Sequence, residues 1–125
     1  MMDSAESEEQ SERQTYLAAK ERSDAIWSDL DVNPQKYRIL TGDRPTGPLH
    51  LGHYFGTLQN RVNLQNKGVE TFILVADYQV FTDRDSADSI QQNIRDVILD
   101  YLAVGIDPFS TNTTIFCHSY IPELN

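Results

Sequence analysis

Two histidines three residues apart, His50 and His53, follow a loop rich in glycine and proline that covers Gly42–Pro48. At this spacing both imidazoles lie on one side of the first turn of a helix. Gly42 and Gly47 let the loop turn tightly, and the backbone N–H groups and positive dipole at a helix start attract anions. These residue types in this order predict a site that binds polyphosphate.

The loop follows neither of two common phosphate-binding patterns. It contains no GxxxxGK(S/T) sequence and no GxGxxG sequence, so neither the P-loop nor the dinucleotide-binding mechanism applies. Gly52, between the two histidines, is expected to leave room where a flat ligand approaches the backbone. The predicted site therefore depends on the two imidazoles and the start of the helix.

No metal site is predicted. Cys117 is the only cysteine of the sequence, which excludes an intrachain disulfide and a cysteine cluster, and we expect it to pack as a small apolar residue. Asp83, Asp85 and Asp88 are expected to form a solvated turn that caps a helix rather than a cation site.

Alternating strands and helices are expected to position the histidines. Apolar runs predict three strands, Tyr37–Thr41, Val69–Ala76 and Thr113–Cys117. Apolar residues at helical spacing predict two helices between them, one with a stripe of Leu51, Phe55, Leu58 and Val62 and one over Ile90–Leu102. Gly68 and Gly105 are natural stops for these helices.

This order predicts an α/β fold with a doubly wound parallel sheet and right-handed crossovers. The second strand is nearly all apolar, as expected for a strand covered on both faces. Ligands of such sheets bind outside the carboxyl ends of the strands. Those ends are Thr41–Arg44, Asp77–Thr82 and the residues from His118 onward.

Composition divides the 125 residues into three parts. Residues 1–12 carry five acids and no base and are expected to be a disordered acidic tail. Residues 13–36 form an N-terminal extension that is expected to be helical up to the break at Asn33-Pro34. Residues 37–125 form the α/β domain, and the chain stops just after the third strand, so we expect a truncated domain.

Charge and hydropathy exclude several classes of protein. The net charge of −9 argues against a broad basic surface for nucleic acid. The longest apolar run, Phe72–Ala76, is far shorter than the roughly 20 residues that span a membrane. No secretory signal precedes the domain, so we expect a cytoplasmic protein.

Five motifs in order identify residues 37–125 as similar to the tryptophanyl-tRNA synthetase family. His50–His53 resembles the HIGH motif of class I aminoacyl-tRNA synthetases, and the wider run Ile39–Tyr54 resembles the opening strand and loop of that family. The other matching segments are Leu74–Asp77, Gly105–Pro108, Thr114–Phe116 and Ile121–Glu123. The resemblance implies a Rossmann-like catalytic domain.

The resemblance also implies a reaction: ATP, with Mg²⁺, activates L-tryptophan to tryptophanyl-adenylate, and the acyl group then moves to tRNA(Trp). By the same match His50 and His53 are catalytic, and Gly52 lies beneath the nucleotide. The ATP-binding residues implied are Arg44, Pro45, Thr46, Gly52 and His53, and those implied to border the tryptophan pocket are Leu40, Gly42 and Gln79. Members of this family are homodimers when full length and bind tRNA through regions absent here, so this chain alone is expected to be inactive.

Three positions depart from other members of the family. Many bacterial members have Gln at the position of Arg44 and Asn at that of His53, and we expect ATP binding to survive both changes. Gln79 stands where other members often have His.

Three alternatives remain open. They are a tyrosine–tRNA ligase, another nucleotidyltransferase with an HxGH motif, and a non-catalytic ATP-binding module derived from a synthetase.

Overall fold

The computed structural model of the chain describes residues 2–80 and 87–124, with side chains over 7–80 and 88–124. The predicted helix-capping turn at Thr82–Ser86, with Asp83 and Asp85, lies outside the described residues. The chain divides into two compact units, Met1–Pro34 and Gln35–Asn125. The division falls two residues before the predicted boundary after residue 36.

The first unit is a single helix, α1, over Met2–Leu30. It takes in most of residues 1–12 and therefore differs from the disordered tail that we expected there. Ala, Glu, Gln and Arg all favour helix, and this intrinsic preference accounts for helix in a polar, acidic segment. Tyr16 and Ile26 are exposed on α1, and Lys20 pairs with Asp24 one turn later.

The second unit contains a three-stranded parallel sheet in the order β1-β2-β3, so the predicted parallel α/β order is confirmed. The strands are β1 (Arg38–Asp43), β2 (Glu70–Val75) and β3 (Thr113–Cys117). Gly42 belongs to β1 rather than to the loop and is opposite Leu74. A Cβ at Gly42 would collide with the Leu74 carbonyl oxygen, so close strand approach requires glycine there.

Residues of β2 alternate between a buried and a half-buried face. Thr71, Ile73 and Val75 are buried, whereas Phe72 and Leu74 are half-buried. The prediction of a strand fully covered on both faces is therefore wrong for the described residues, because the helices that contribute to the core pack on the face of Ile73. The main cluster of buried core residues contains Leu58, Ile73, Val75, Val97, Tyr101, Ile106 and Cys117.

The first crossover helix contains an irregular turn. It begins as α2 (Leu51–His53), continues through a π-helical turn (Tyr54–Leu58) and ends as α3 (Gln59–Lys67). Leu58 is buried, but Leu51 and Phe55 are 73% and 69% exposed, so half of the predicted apolar stripe is wrong. A π turn has more residues than an α turn, so the α-helical spacing that the predicted stripe assumes does not hold across Tyr54–Leu58.

The second crossover helix, α4 (Ala87–Ala103), confirms most of its predicted stripe, with Ile90, Val97 and Tyr101 buried, but Leu102 at the end of the stripe is 42% exposed. Gly68 and Gly105 follow α3 and α4 with positive φ angles of 92° and 104°, as expected for glycine at helix ends. Cys117 is buried as predicted, and this burial, with the nearby charge of Asp77, raises the pKa of its thiol. No helix among residues 2–80 and 87–124 is long and apolar enough to cross a membrane.

Candidate active site

His50 and His53 are locked into the start of α2 by backbone hydrogen bonds. His50 is the N-cap residue, and its Nδ1 accepts a hydrogen bond of 3.0 Å from the Gly52 N–H. The His50 N–H in turn donates to Nδ1 of His53 over 3.2 Å. The two bonds form a reciprocal capping box in which histidines take the places usually held by Ser or Thr and by Glu. The ring centroids are 4.1 Å apart.

These bonds set the tautomer of each neutral imidazole. Because Nδ1 of both rings accepts a backbone N–H, the proton of a neutral ring must be on Nε2. Each histidine therefore directs an Nε2–H donor away from the backbone. His50 is exposed and His53 half-buried, so the start of α2 offers two side-chain donors to an anionic ligand.

Gly52 leaves room for the ring of the N-cap residue His50. A Cβ at Gly52 would lie 2.8 Å from Cε1 and 3.0 Å from Nδ1 of His50. The space beside Gly52 is therefore filled by the His50 ring, and the expectation that Gly52 leaves room for a flat ligand is wrong in this structure. The sequence could not show this, because the position of the imidazole depends on its bond to the Gly52 N–H.

The loop before the histidines presents two of its three predicted ATP-binding residues. Arg44 and Thr46 are exposed, while Pro45 between them is buried. The Thr46 N–H donates to the Arg44 carbonyl oxygen over 2.9 Å, which closes a three-residue turn around the proline. The loop thus directs the side chains of Arg44 and Thr46 outward, and Pro45 anchors the turn beneath them.

Two of the residues predicted to border an amino-acid pocket lie on β1, and the third lies past the end of β2. Leu40 and Gly42 alternate along β1 and share one face of the sheet, where Leu40 is 69% exposed. Gln79 is exposed and belongs to a 3₁₀ turn, Asp77–Gln79, just past the carboxyl end of β2. Leu40 and Gly42 thus lie on one face of β1, and Gln79 lies just past the end of the neighbouring strand β2. Their role in a pocket stays a prediction.

Sequence reasoning missed a buried polar cluster behind the loop, formed by Asp43, Arg61 and Tyr101. Arg61 donates to both carboxylate oxygens of Asp43, from Nη1 over 2.6 Å and from Nη2 over 3.3 Å. The Tyr101 hydroxyl donates to Asp43 Oδ2 over 2.6 Å. Arg61 is only 4% exposed. One signal could have revealed the cluster, because an arginine between Leu58 and Leu64 on the core face of a helix requires a buried partner.

The cluster keeps Asp43 charged and Tyr101 neutral. Burial by itself would raise the pKa of Asp43, but the hydrogen bonds from Arg61 and Tyr101 and the positive charge of Arg61 outweigh it and hold that pKa below its ordinary range. The electrostatic effect of His53 on the pKa of Asp43 acts in the same direction. Burial and the bond to Asp43 raise the pKa of the Tyr101 phenol.

Asp77 joins the ends of two strands. It is 3% exposed at the end of β2 and accepts hydrogen bonds from the Tyr78 N–H, 3.1 Å, and the Ser119 N–H, 3.0 Å. The Ser119 hydroxyl also donates to it. Asp77 borders a cavity of about 450 Å³ between α4 and the residues after β3. Its bonds hold the carboxyl edge of the sheet together.

Comparison with known proteins supports a specific relationship. The profile of the family described as tRNA synthetases class I (W and Y) matches residues 33–124. A tryptophan–tRNA ligase of Clostridium longisporum is 56% identical over 89 residues, which cover 70% of this chain and 26% of that protein. A tryptophan–tRNA ligase of Lactococcus lactis subsp. lactis is 54% identical over 91 residues, 71% of this chain and 26% of that protein.

Solved structures agree with the fold. The tryptophanyl-tRNA synthetase of Campylobacter jejuni complexed with ADP and tryptophan is 32% identical with a TM-score of 0.62, over 70% of this chain and 26% of that one. The Mycoplasma pneumoniae enzyme is 34% identical with a TM-score of 0.63, over 70% of this chain and 25% of that one. The fold is thus the Rossmann-like fold of these enzymes, and the chain spans 26% of the length of the two curated relatives named.

Proposed function

The chain belongs to the class I tRNA synthetases of the tryptophan and tyrosine group, and on that premise we propose that it supplies the ATP-binding part of a tryptophan–tRNA ligase. The observation that carries the proposal is the pair of Nε2–H donors that the capped histidines present at the start of α2. The names of the curated relatives and the ADP and tryptophan bound in the Campylobacter jejuni enzyme support this choice of substrates.

In the proposed reaction a tryptophan carboxylate oxygen attacks the α-phosphorus of ATP. A new P–O bond forms, the bond to the bridging oxygen of the β-phosphate breaks, and pyrophosphate leaves with the electron pair. Negative charge on the phosphate oxygens increases as this occurs. His50 and His53 stabilise it through Nε2–H donors that are oriented before the substrate binds. Mg²⁺ supplied with the nucleotide would add positive charge beside its phosphates.

The other predicted residues take supporting roles. Arg44 and Thr46, exposed on the loop, contact the nucleotide, with Pro45 fixing the turn between them. Gly52 acts indirectly, since it makes room for the ring of His50. Leu40, Gly42 and Gln79 form one wall of the tryptophan pocket.

The rest of the activity requires sequence beyond the matched quarter of the relatives. We propose that the complete enzyme is a cytoplasmic homodimer that transfers the tryptophanyl group to tRNA(Trp). The 125-residue chain alone is expected to charge no tRNA.

Binding of ATP to the purified chain tests the proposal directly. In a titration with MgATP followed by NMR, the imidazole resonances of His50 and His53 should shift more than the ring resonances of Phe109. Phe109 is an internal control because it is exposed and precedes β3, at the amino end of the sheet. Equal shifts of all three side chains, or none, would contradict the proposed ATP site.

A chimera tests the reaction. Residues 37–125 would replace the matching part of the Clostridium longisporum relative, and pyrophosphate exchange would be measured with tryptophan and with tyrosine. Exchange that depends on tryptophan is expected. Exchange that prefers tyrosine would favour a tyrosine–tRNA ligase, and a folded chimera without exchange would favour a non-catalytic module.

A further inference from the structure

Two consecutive residues near the end of α4, Asp100 and Tyr101, bind the two ends of the loop that carries Arg44 and Thr46. At the first end, the Tyr101 hydroxyl donates to Oδ2 of Asp43, the residue just before Arg44, over 2.6 Å. At the second end, the Leu49 N–H donates to Oδ2 of Asp100 over 2.7 Å. These contacts join residues 58 and 51 positions apart in the sequence.

The loop between these two points has little internal support. It forms no helix or strand. Its internal backbone hydrogen bond is the one that closes the three-residue turn around Pro45. A loop without anchors samples many conformations, and ordering it on binding costs conformational entropy. Fixing both ends in the unliganded protein removes part of that cost.

The anchor points themselves are rigid. Tyr101 is fully buried in the core, and Asp43 is held by Arg61 as well as by Tyr101. The backbone oxygen of Asp43 also accepts from the Ala76 N–H over 2.9 Å, which ties the loop start to the end of β2. Leu49, at the other end, directly precedes the N-cap His50.

We propose that Asp100 and Tyr101 are positioning residues that clamp the loop of residues 44–48 and hold Arg44 and His50 in place for the nucleotide. The inference rests on the proposed function for its ligand. Neither residue needs to touch ATP, since each acts through the backbone or side chain of a residue at the end of the loop. Helix α4 thereby links the core to the nucleotide site.

Two variants of the whole chain test the clamp. Tyr101→Phe removes the hydroxyl but keeps the buried ring, and Asp100→Ala removes the acceptor for Leu49. Both should speed amide hydrogen exchange in residues 44–49 by a larger factor than in β2 and β3. Both should also weaken MgATP binding about tenfold, the factor that corresponds to roughly 1.4 kcal/mol.

Two controls separate positioning from general stability. Asp100→Asn keeps a side-chain oxygen as acceptor and should restore slow exchange at Leu49. Leu99→Ala, at an exposed neighbouring position of α4, should change neither exchange in the loop nor affinity. Exchange that rises by the same factor in residues 44–49, β2 and β3 in Tyr101→Phe would indicate a role in stability alone and would overturn the clamp.

The outcomes also distinguish the clamp from the proposed function. A wild-type chain that does not bind MgATP contradicts the nucleotide site, whereas loop exchange still decides whether the clamp exists. If the wild-type chain binds MgATP and both variants match it in loop exchange and affinity, the clamp is refuted and the ATP site stands.

Discussion

Replacement of Arg61 by methionine should destabilise the second unit far more than the same change at Arg38. Both arginines pair with a carboxylate, Arg61 with Asp43 and Arg38 with Glu70. The side chains of Arg61 and Asp43 are 4% and 15% exposed, whereas those of Arg38 and Glu70 are 70% and 45% exposed. Methionine keeps much of the aliphatic volume, so the comparison isolates the charge and its hydrogen bonds.

The expected magnitude follows from burial. Removing one partner of a buried pair leaves the other charge uncompensated and costs about 3–5 kcal/mol. Because Asp43 keeps the hydrogen bond from the Tyr101 hydroxyl, we expect Arg61→Met to cost about 3 kcal/mol, at the low end of that range. An exposed pair contributes roughly 0.2–1 kcal/mol, so Arg38→Met should cost less than about 1 kcal/mol.

The assay must report on the second unit. Trp27, the only tryptophan of the sequence, belongs to the first unit, so tryptophan fluorescence would follow the wrong part of the chain. Urea unfolding followed by tyrosine circular dichroism in the near ultraviolet, or by amide exchange in β2, reports on the core around Tyr101. The slope of the unfolding free energy against urea should stay unchanged.

A second substitution tests the reason for the loss. Asp43→Asn in the Arg61→Met background removes the uncompensated charge, so the double variant should regain much of the lost stability. A loss below about 1 kcal/mol in Arg61→Met, or a double variant less stable than the single one, would refute the view that a buried charge is the cause.

Three further predictions concern pH, strand approach and the histidines. The folded-state pKa of Asp43 lies below its unfolded value, so the stability it contributes is present above about pH 4 and lost as pH falls through the folded pKa. Unfolding free energies measured from pH 6 to pH 2 should therefore fall less in Asp43→Asn than in the wild type. The pKa of Tyr101 is raised in the folded state, so its effect on stability has the opposite dependence on pH. Its contribution to the unfolding free energy is present below about pH 10 and lost as pH rises further. Gly42→Ala should lower the thermal midpoint, because its Cβ would collide with the Leu74 carbonyl; Gly56→Ala, where nothing lies within 4 Å, should not, and equal midpoints would contradict the close approach. His53→Ala in the chimera should slow adenylate formation by about 2.7–4 kcal/mol in activation free energy, as for one preorganised donor, and near-normal pyrophosphate exchange would contradict its role.

Much of the fold could be predicted because its signals are local. All three strands were predicted to within two residues at each end, since short apolar runs between turn residues are typical of strands in a parallel sheet. Helix α4 was predicted because its apolar stripe repeats with the helical period. The irregular turn before α3 could not be predicted from that period, and the exposure of Leu51 and Phe55 follows from it.

The candidate site was predicted in part. The spacing of His50 and His53 and their place after β1 were visible in the sequence, because three residues of separation and a glycine-rich loop are local features. The tautomers of the two rings were not, since they depend on which backbone N–H each Nδ1 accepts. The role of Gly52 differs from the predicted one for the same reason, because the bond from the Gly52 N–H to Nδ1 sets the position of the His50 ring.

The sequence by itself determined the order of the elements, the family, and the two imidazoles at the start of a helix, because period, spacing and motif are read along the chain. Only the tertiary structure decided that Asp43 would pair with Arg61 and Tyr101, and Leu49 with Asp100. These partners are 18 to 58 residues apart, and no local pattern specifies which buried donor meets which acceptor. Packing of α3 and α4 on one face of the sheet brings them together, because a buried charge is stable only where its partners are also buried.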